Sequence, residues 1–190
     1  GLIVAGSNLH YLSPAAISPV GGICICAVLV FPMTLYTGPK EFWWTQVVAL
    51  VLSAMAGLLI MIQCGQEVST RSEPLHNEHL SFSSISGALG AFLFAWSGHM
   101  IFPTLQMDME QPREFQRAVA MSYTFNILFF LLLALLGVLA YGASVPDNML
   151  SGLPDGPLKN SCLLLMTFHV VFVMVEFQGP VALALDFAFK

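Results

Sequence analysis

Gly87-Ala-Leu-Gly-Ala-Phe-Leu-Phe-Ala-Trp-Ser-Gly-His-Met-Ile-Phe-Pro103 contains no Asp, Glu, Lys or Arg and lies inside an uncharged run from Ile85 to Leu105. A helix needs about 20 predominantly apolar residues to cross a ~30 Å hydrocarbon core, and this run supplies them. It is continuously apolar rather than alternating, which argues against a barrel strand. Within it stand Ser97, Gly98 and His99, followed by Pro103. Gly98 permits an unwound turn, and Pro103 cannot donate to the carbonyl of His99. The segment at about 95–103 is therefore a candidate for a helix broken near the membrane midplane. A bare proline kink is the competing reading, and the segment alone does not separate the two. Irregular backbone at that depth survives only where it is buried or lines a cavity, and transporters hold substrates and ions at such breaks.

Four more runs of the same kind surround it, at 14–36, 43–63, 119–141 and 161–183. Glu176 is the one charged residue inside any of the five. The composition agrees: 57% of 190 residues are hydrophobic, 9% are charged, and the mean hydropathy is +0.80. Soluble domains are about 45–50% apolar and roughly 25% charged. These figures exclude an ordinary soluble enzyme and a disordered regulator. Net charge is −5 with six Lys and Arg, so no basic patch exists to bind nucleic acid. Four cysteines make no disulfide framework in a chain this long. The expected architecture is an all-α integral membrane protein with five transmembrane helices in a single domain spanning 1–190.

The first run is not a signal peptide, because it lacks a basic leader, is too long and is followed by further spans. Leu2–Leu12 looks like the tail of an earlier helix, and the chain ends directly after the fifth span. An internal fragment of a longer multi-pass protein is the expectation. Alternation places residues 37–42, 106–118 and 184–190 on one side with Lys40, Arg113, Arg117 and Lys190. The other side holds 1–13, 64–84 and 142–160 with Arg71 and Lys159. Short cytoplasmic loops carry the excess of Lys and Arg, so 106–118 is expected in the cytoplasm.

Most polar features inside the spans have an ordinary explanation. Pro14, Pro19, Gly21, Gly22 and Pro32 suit a kinked packing helix. Cys24 and Cys26 form a C-x-C pair without a second pair at ligand spacing, so they read as small buried hydrophobes. Glu41-Phe-Trp-Trp44 marks a membrane interface. Glu110 with Arg113 and Glu114 with Arg117 can pair at i,i+3 in a solvated loop helix. The fourth span is nearly featureless apart from Asn126. His76-Asn-Glu-His79 lacks the spacing of a metal-binding helix motif. No Ser-His-Asp pattern, P-loop or dinucleotide fingerprint is present, so neither enzymatic activity nor a metal or other cofactor is expected. The fifth span differs. His169 and Glu176 are seven residues apart and share a helix face. A carboxylate in hydrocarbon is costly and faces a bundle interior or an aqueous path. Glu176 is thus a candidate proton carrier or ligand for a cation or a substrate amine, with a structural hydrogen bond as the alternative.

Phe92-Leu-Phe-Ala-Trp-Ser-Gly-His-Met-Ile-Phe-Pro-Thr-Leu-Gln-Met-Asp-Met-Glu-Gln-Pro-Arg-Glu-Phe115 resembles the signature of the amino acid/auxin permease family of transporters. There an F-x-F-S-G-H-like run precedes a proline, an N-x-M-like stretch and P-x-x-F. Trp96 to His99, Met107 to Met109, and Pro112 with Phe115 take those roles here. Gly6-Ser-Asn-Leu-His-Tyr-Leu12 looks like the end of the family's third helix, and His169 through Pro180 like its eighth, with Phe177 where a tyrosine is usual.

The resemblance implies two inverted five-helix repeats, the fold of the sodium-coupled amine and leucine transporters. The five spans then correspond to helices four to eight, and 106–118 is again cytoplasmic. The implied activity is secondary active transport of an amino acid on a proton or sodium gradient. The substrate carboxylate would meet backbone donors around Ser97 and Gly98, with His99 alongside and Phe92, Trp96 and Phe102 as walls or gates. His169 and Glu176 are the candidates for ion coupling. The implied partners are the lipid bilayer and the remaining helices of the full-length chain, without which the fragment is expected to be inactive. Plasma-membrane, lysosomal and vesicular locations all occur in the family. A multi-pass receptor or channel subunit without coupled transport is the alternative.

Overall fold

The computed structural model describes residues 1–34, 43–70, 81–96, 98, 101–146 and 148–189. Side chains are described for these except at 33–34, 43, 94–95, 104, 143 and 175–189. In chain order the helices are α1 (Leu2–Leu12), α2 (Pro19–Thr34), α3 (Trp43–Thr70), α4 (Phe82–Ala95), α5 (Phe102–Asp108), α6 (Phe115–Tyr141), α7 (Met149–Gly152) and α8 (Pro157–Phe189). Short 3-10 turns at Pro112–Glu114 and Gly142–Ser144 flank α6. Among the described residues there is no strand. Backbone groups in hydrocarbon must be paired within their own segment, which the α-helix does.

Among the described residues three helical stretches are long and apolar enough to cross a membrane: Trp44–Thr70, Pro112–Tyr141 and Pro157–Met174. Pro19–Pro32 and Phe82–Leu93 are shorter apolar helices. The expected run at 14–36 starts late because residues 14–16 form a turn, and α2 begins at Pro19. The run at 85–105 is divided between α4 and α5. Prolines stand at the starts of α2, α8 and the turn before α6, and in the first turn of α5. A missing N–H costs nothing there.

The chain forms two compact units. One comprises Gly1–Thr70 with Pro146–Lys190, the other Arg71–Val145. In the first, α1 and α2 form an antiparallel hairpin. The His10 Nδ1 lies 2.6 Å from the Ile17 carbonyl and ties the turn. About one turn further in, Gly6 and Gly22 bring the backbones together. A Cβ on Gly6 would stand 2.6 Å from the Ile23 nitrogen, and one on Gly22 would collide with the Gly6 carbonyl.

Helices α3 and α8 are also antiparallel, in one constant register. The Cys162 thiol approaches the Ala56 carbonyl at 4.0 Å, and seven residues along each helix His169 Nδ1 lies 2.9 Å from the Ala49 carbonyl. Trp44 meets Phe172 edge to face at 6.1 Å. The fully buried side chains of this unit are small: Ala5, Ala56, Cys64 and Cys162 are 0% exposed. Leu50, Leu58, Val28 and Phe31 instead point outward. Lipid is as apolar as leucine, so helices in a bilayer associate through close backbone approach over small residues. The small-inside, large-outside pattern follows from that. The C-x-C pair diverges as two residues on a helix must, with Cys26 buried and Cys24 exposed.

Lys159 is a finding that its loop placement did not foreshadow. It sits in the first turn of α8, buried, with its ammonium donating to Asp155 Oδ1 at 2.9 Å and lying 5.5 Å from the centre of the Tyr11 ring. A cation in a first turn opposes the helix dipole, so the exposed Asp155 carboxylate compensates it. Asp155→Asn is expected to lower stability by about 1–2 kcal/mol through the lost charged hydrogen bond. Lys159→Met, which removes the charge itself, should cost less. Thermal unfolding of the purified full-length protein would show the order of the two midpoints.

In the second unit α4 is exposed along its whole described length, and α6 buries only Gly137 and Ala140. Asn126 donates to the Ser122 carbonyl at 3.0 Å, so its amide is partly satisfied within its own helix. Arg117 and Glu114 form an ion pair at 3.8 Å with both side chains largely exposed, and such pairs contribute little. Glu110 with Arg113 makes no ion pair among the described residues.

Candidate functional site

The last turn of α4 closes with the Trp96 N–H donating to the Phe92 carbonyl at 3.0 Å. The next α-helix begins at Phe102, capped by Ile101 without a side-chain hydrogen bond. The described residues between Ala95 and Phe102 are thus not α-helical, with Trp96 in a turn and Gly98 and Ile101 in 3-10 conformation, and the apolar span is interrupted there. Pro103 lies in the first turn of α5 and starts that helix rather than kinking a longer one. Gly98 is half-buried in the interruption. Its backbone is not left-handed: Gly142, which ends α6, is the described residue with positive φ. The contribution of Gly98 is space, since an added Cβ would find no described atom within 4 Å.

Aromatic rings from α6 secure both sides of the interruption. Trp96 packs on Tyr123 with centroids 4.8 Å apart and planes tilted by 40°. Phe102 meets Tyr123 edge to face at 6.2 Å and Phe115 at 5.5 Å. Phe115 and Tyr123 lie eight residues apart on one face of α6. Trp96, Gly98 and Phe102 are therefore in one neighbourhood. Phe92 is a turn earlier on α4, 64% exposed and outside this cluster. Ser97 and His99 lie outside the described residues.

His169 belongs to the other unit, on α8, half-buried, with Nδ1 at the Ala49 carbonyl. A carbonyl only accepts, so the ring must donate from Nδ1, and in the neutral form Nε2 is then the acceptor. Glu176 is seven residues further along α8, on the helix face of Cys162 and His169; its side chain lies outside the described residues. No group of three or more His, Cys, Asp or Glu that could hold a metal occurs among the described residues, and the His76–His79 loop lies outside them. Sequence reasoning missed Tyr123, which sits in a span read as packing. The available signal was its spacing from Phe115. It also missed Asn8, which is 5% exposed with its amide nitrogen unpaired among the described residues.

Residues 2–185 match the family model for transmembrane amino acid transporter proteins. The chain belongs to that family. Among its curated relatives in Arabidopsis thaliana, amino acid transporter AVT1E is 22% identical over 97% of this chain and 37% of its own length. Amino acid transporter AVT1I is 24% identical over 80% of the chain and 40% of its own length. The vesicular GABA transporter of Caenorhabditis elegans is 21% identical over 66% of the chain and 25% of its own length. The chain spans well under half the length of these relatives. No solved structure matches. Membership makes this a segment of helical membrane protein from an amino acid transporter family, which agrees with the apolar helices and with the signature between Phe92 and Phe115.

Proposed function

We propose that the full-length protein carrying this segment is a secondary active transporter that moves an amino acid across a membrane on a proton or sodium gradient. The observation that carries the reading is the interruption between Ala95 and Phe102 in a chain of this family. Backbone groups released from a membrane helix need partners, and a substrate carboxylate is a suitable one. Backbone donors around Ser97 and Gly98 would take that carboxylate, with His99 beside them. Phe92, Trp96 and Phe102 would form the apolar walls or gates.

His169 and Glu176 are assigned to ion coupling. The Ala49 carbonyl fixes the imidazole tautomer and leaves Nε2 as a proton acceptor, which favours a proton. The inverted-repeat fold, with residues 1–190 holding five of its helices, belongs to the same proposal. So does the inactivity of residues 1–190 alone. Loop charge supports a cytoplasmic 106–118, in a plasma, lysosomal or vesicular membrane.

Labelled amino acid uptake by the full-length protein in vesicles, under an imposed proton or sodium gradient, tests the reading. Saturable uptake that collapses with the gradient is expected. Glu176→Gln should abolish the gradient dependence while leaving exchange of labelled for unlabelled substrate. Ligand-dependent current without saturable uptake would overturn the proposal in favour of a channel.

A further inference from the structure

We propose that Tyr123 is the positioning residue of the interrupted helix. Its ring packs on Trp96 at the end of one arm and on Phe102 at the start of the other. The inference rests on the transport reading, and it assigns to α6 a part in the site that neither the signature nor the family match supplies.

Three observations carry it. First, Tyr123 touches both ends of the interruption, Trp96 at 4.8 Å and Phe102 at 6.2 Å. Between the arms Gly98 and Ile101 are in 3-10 rather than α-helical conformation, so no unbroken α-helical ladder joins one arm to the other. A side chain from a neighbouring helix that contacts both arms adds a constraint between them. Second, the mount is continuous. Tyr123 lies inside the regular helix α6, and Phe115 on the same face gives Phe102 a second ring at 5.5 Å. Phe102 is thus clamped between two rings one face apart, whereas Trp96 relies on Tyr123 among the described aromatic contacts. Third, the described contacts of Tyr123 are made by its ring. Aromatic pairs favour tilted and edge-to-face geometries through the ring quadrupole, and the tilt of 40° and the edge-on angle of 79° are of that kind. Misplacement of groups that must converge on one substrate is costly for recognition, so the ring should set substrate affinity.

The test is a set of variants in the full-length protein, read by uptake and by thermal unfolding of the purified transporter. Tyr123→Phe keeps the ring and should leave the half-saturation concentration within about twofold of wild type. Tyr123→Leu keeps most of the volume without the ring. It should raise half-saturation about tenfold, the scale of two lost aromatic pairs, with maximal rate changed less than twofold. In a double-mutant cycle the Tyr123→Leu and Trp96→Leu effects on the unfolding midpoint should be non-additive.

Tyr123→Leu with wild-type half-saturation would overturn the inference while leaving the transport reading intact. Additive midpoints would overturn it independently of any uptake. Wild-type protein without saturable uptake but with non-additive midpoints would instead sink the transport reading and leave Tyr123 a structural clamp only.

Discussion

Gly98→Leu is expected to lower uptake a hundredfold or more while the protein unfolds at its wild-type temperature. The two halves of that outcome have separate physical causes. The fold tolerates the side chain because the Gly98 backbone is not in the left-handed region and no described atom lies within 4 Å of an added Cβ. The residue also lies outside both α-helices, in 3-10 conformation between them. Function does not tolerate it because a leucine would fill the space beside the backbone that the substrate carboxylate is proposed to approach. Displacement of a bound group by about 1 Å can cost a hundredfold, and a whole isobutyl group displaces it further. Uptake assays with surface-expression controls, paired with thermal unfolding, separate the two effects. Full uptake in Gly98→Leu would remove Gly98 from the site. Loss of folded protein would show that the open space belongs to packing instead.

Gly22→Val is expected to give the opposite division, with the folded protein itself lost. A Cβ there collides with the Gly6 carbonyl, and the Gly6 carbonyl carbon lies 3.1 Å away. Both obstacles are backbone, so no rotamer change relieves them. The α1–α2 hairpin would have to open, pulling the His10 ring from the Ile17 carbonyl. Overpacking of a filled interior costs about 1–3 kcal/mol and sometimes more, and a clash between two helical backbones belongs at the upper end. Gly65→Ala is the control. Gly65 lies in α3 with no described atom within 4 Å of its added Cβ, and alanine favours a helix over glycine by about 1 kcal/mol. Equal thermal midpoints for the Gly22 and Gly65 variants would contradict the close crossing.

Local chemistry was legible in the sequence where it concerned a single segment. Leu2–Leu12 is a helix with those limits. The long apolar runs became α3, α6 and α8, and the Gly98–Pro103 pair lies in or beside a real interruption. What stayed hidden depends on contacts between distant segments. The His169 partner is a backbone carbonyl 120 residues away, and any residue presents such a carbonyl, so composition cannot reveal it. The tight crossing at Gly6 and Gly22 uses the absence of side chains, and five glycines at Gly21, Gly65, Gly87, Gly90 and Gly98 have no such backbone neighbour. Lys159 looked like a loop charge because its burial depends on Tyr11, far away in the chain. Tyr123 was concealed by its apolar surroundings, since its spacing from Phe115 becomes a signal only once Phe102 is seen to meet both rings. The interruption was legible as a motif, and the Tyr123 ring that packs on both its ends was not.

Helix α8 is 33 residues long, which at 1.5 Å per residue amounts to about 50 Å. The hydrocarbon slab is ~30 Å thick. An upright α8 would project about 20 Å, roughly two-fifths of its own length, into water and headgroups. The alternative is to lean, and its antiparallel contacts with α3 would make the two helices lean together. A tilted pair senses bilayer thickness, because a thicker membrane is matched by standing straighter and a thinner one by lying lower. Lipid acyl-chain length therefore becomes a mechanical input to α8, the helix that carries His169 and Glu176, the two residues proposed above for ion coupling.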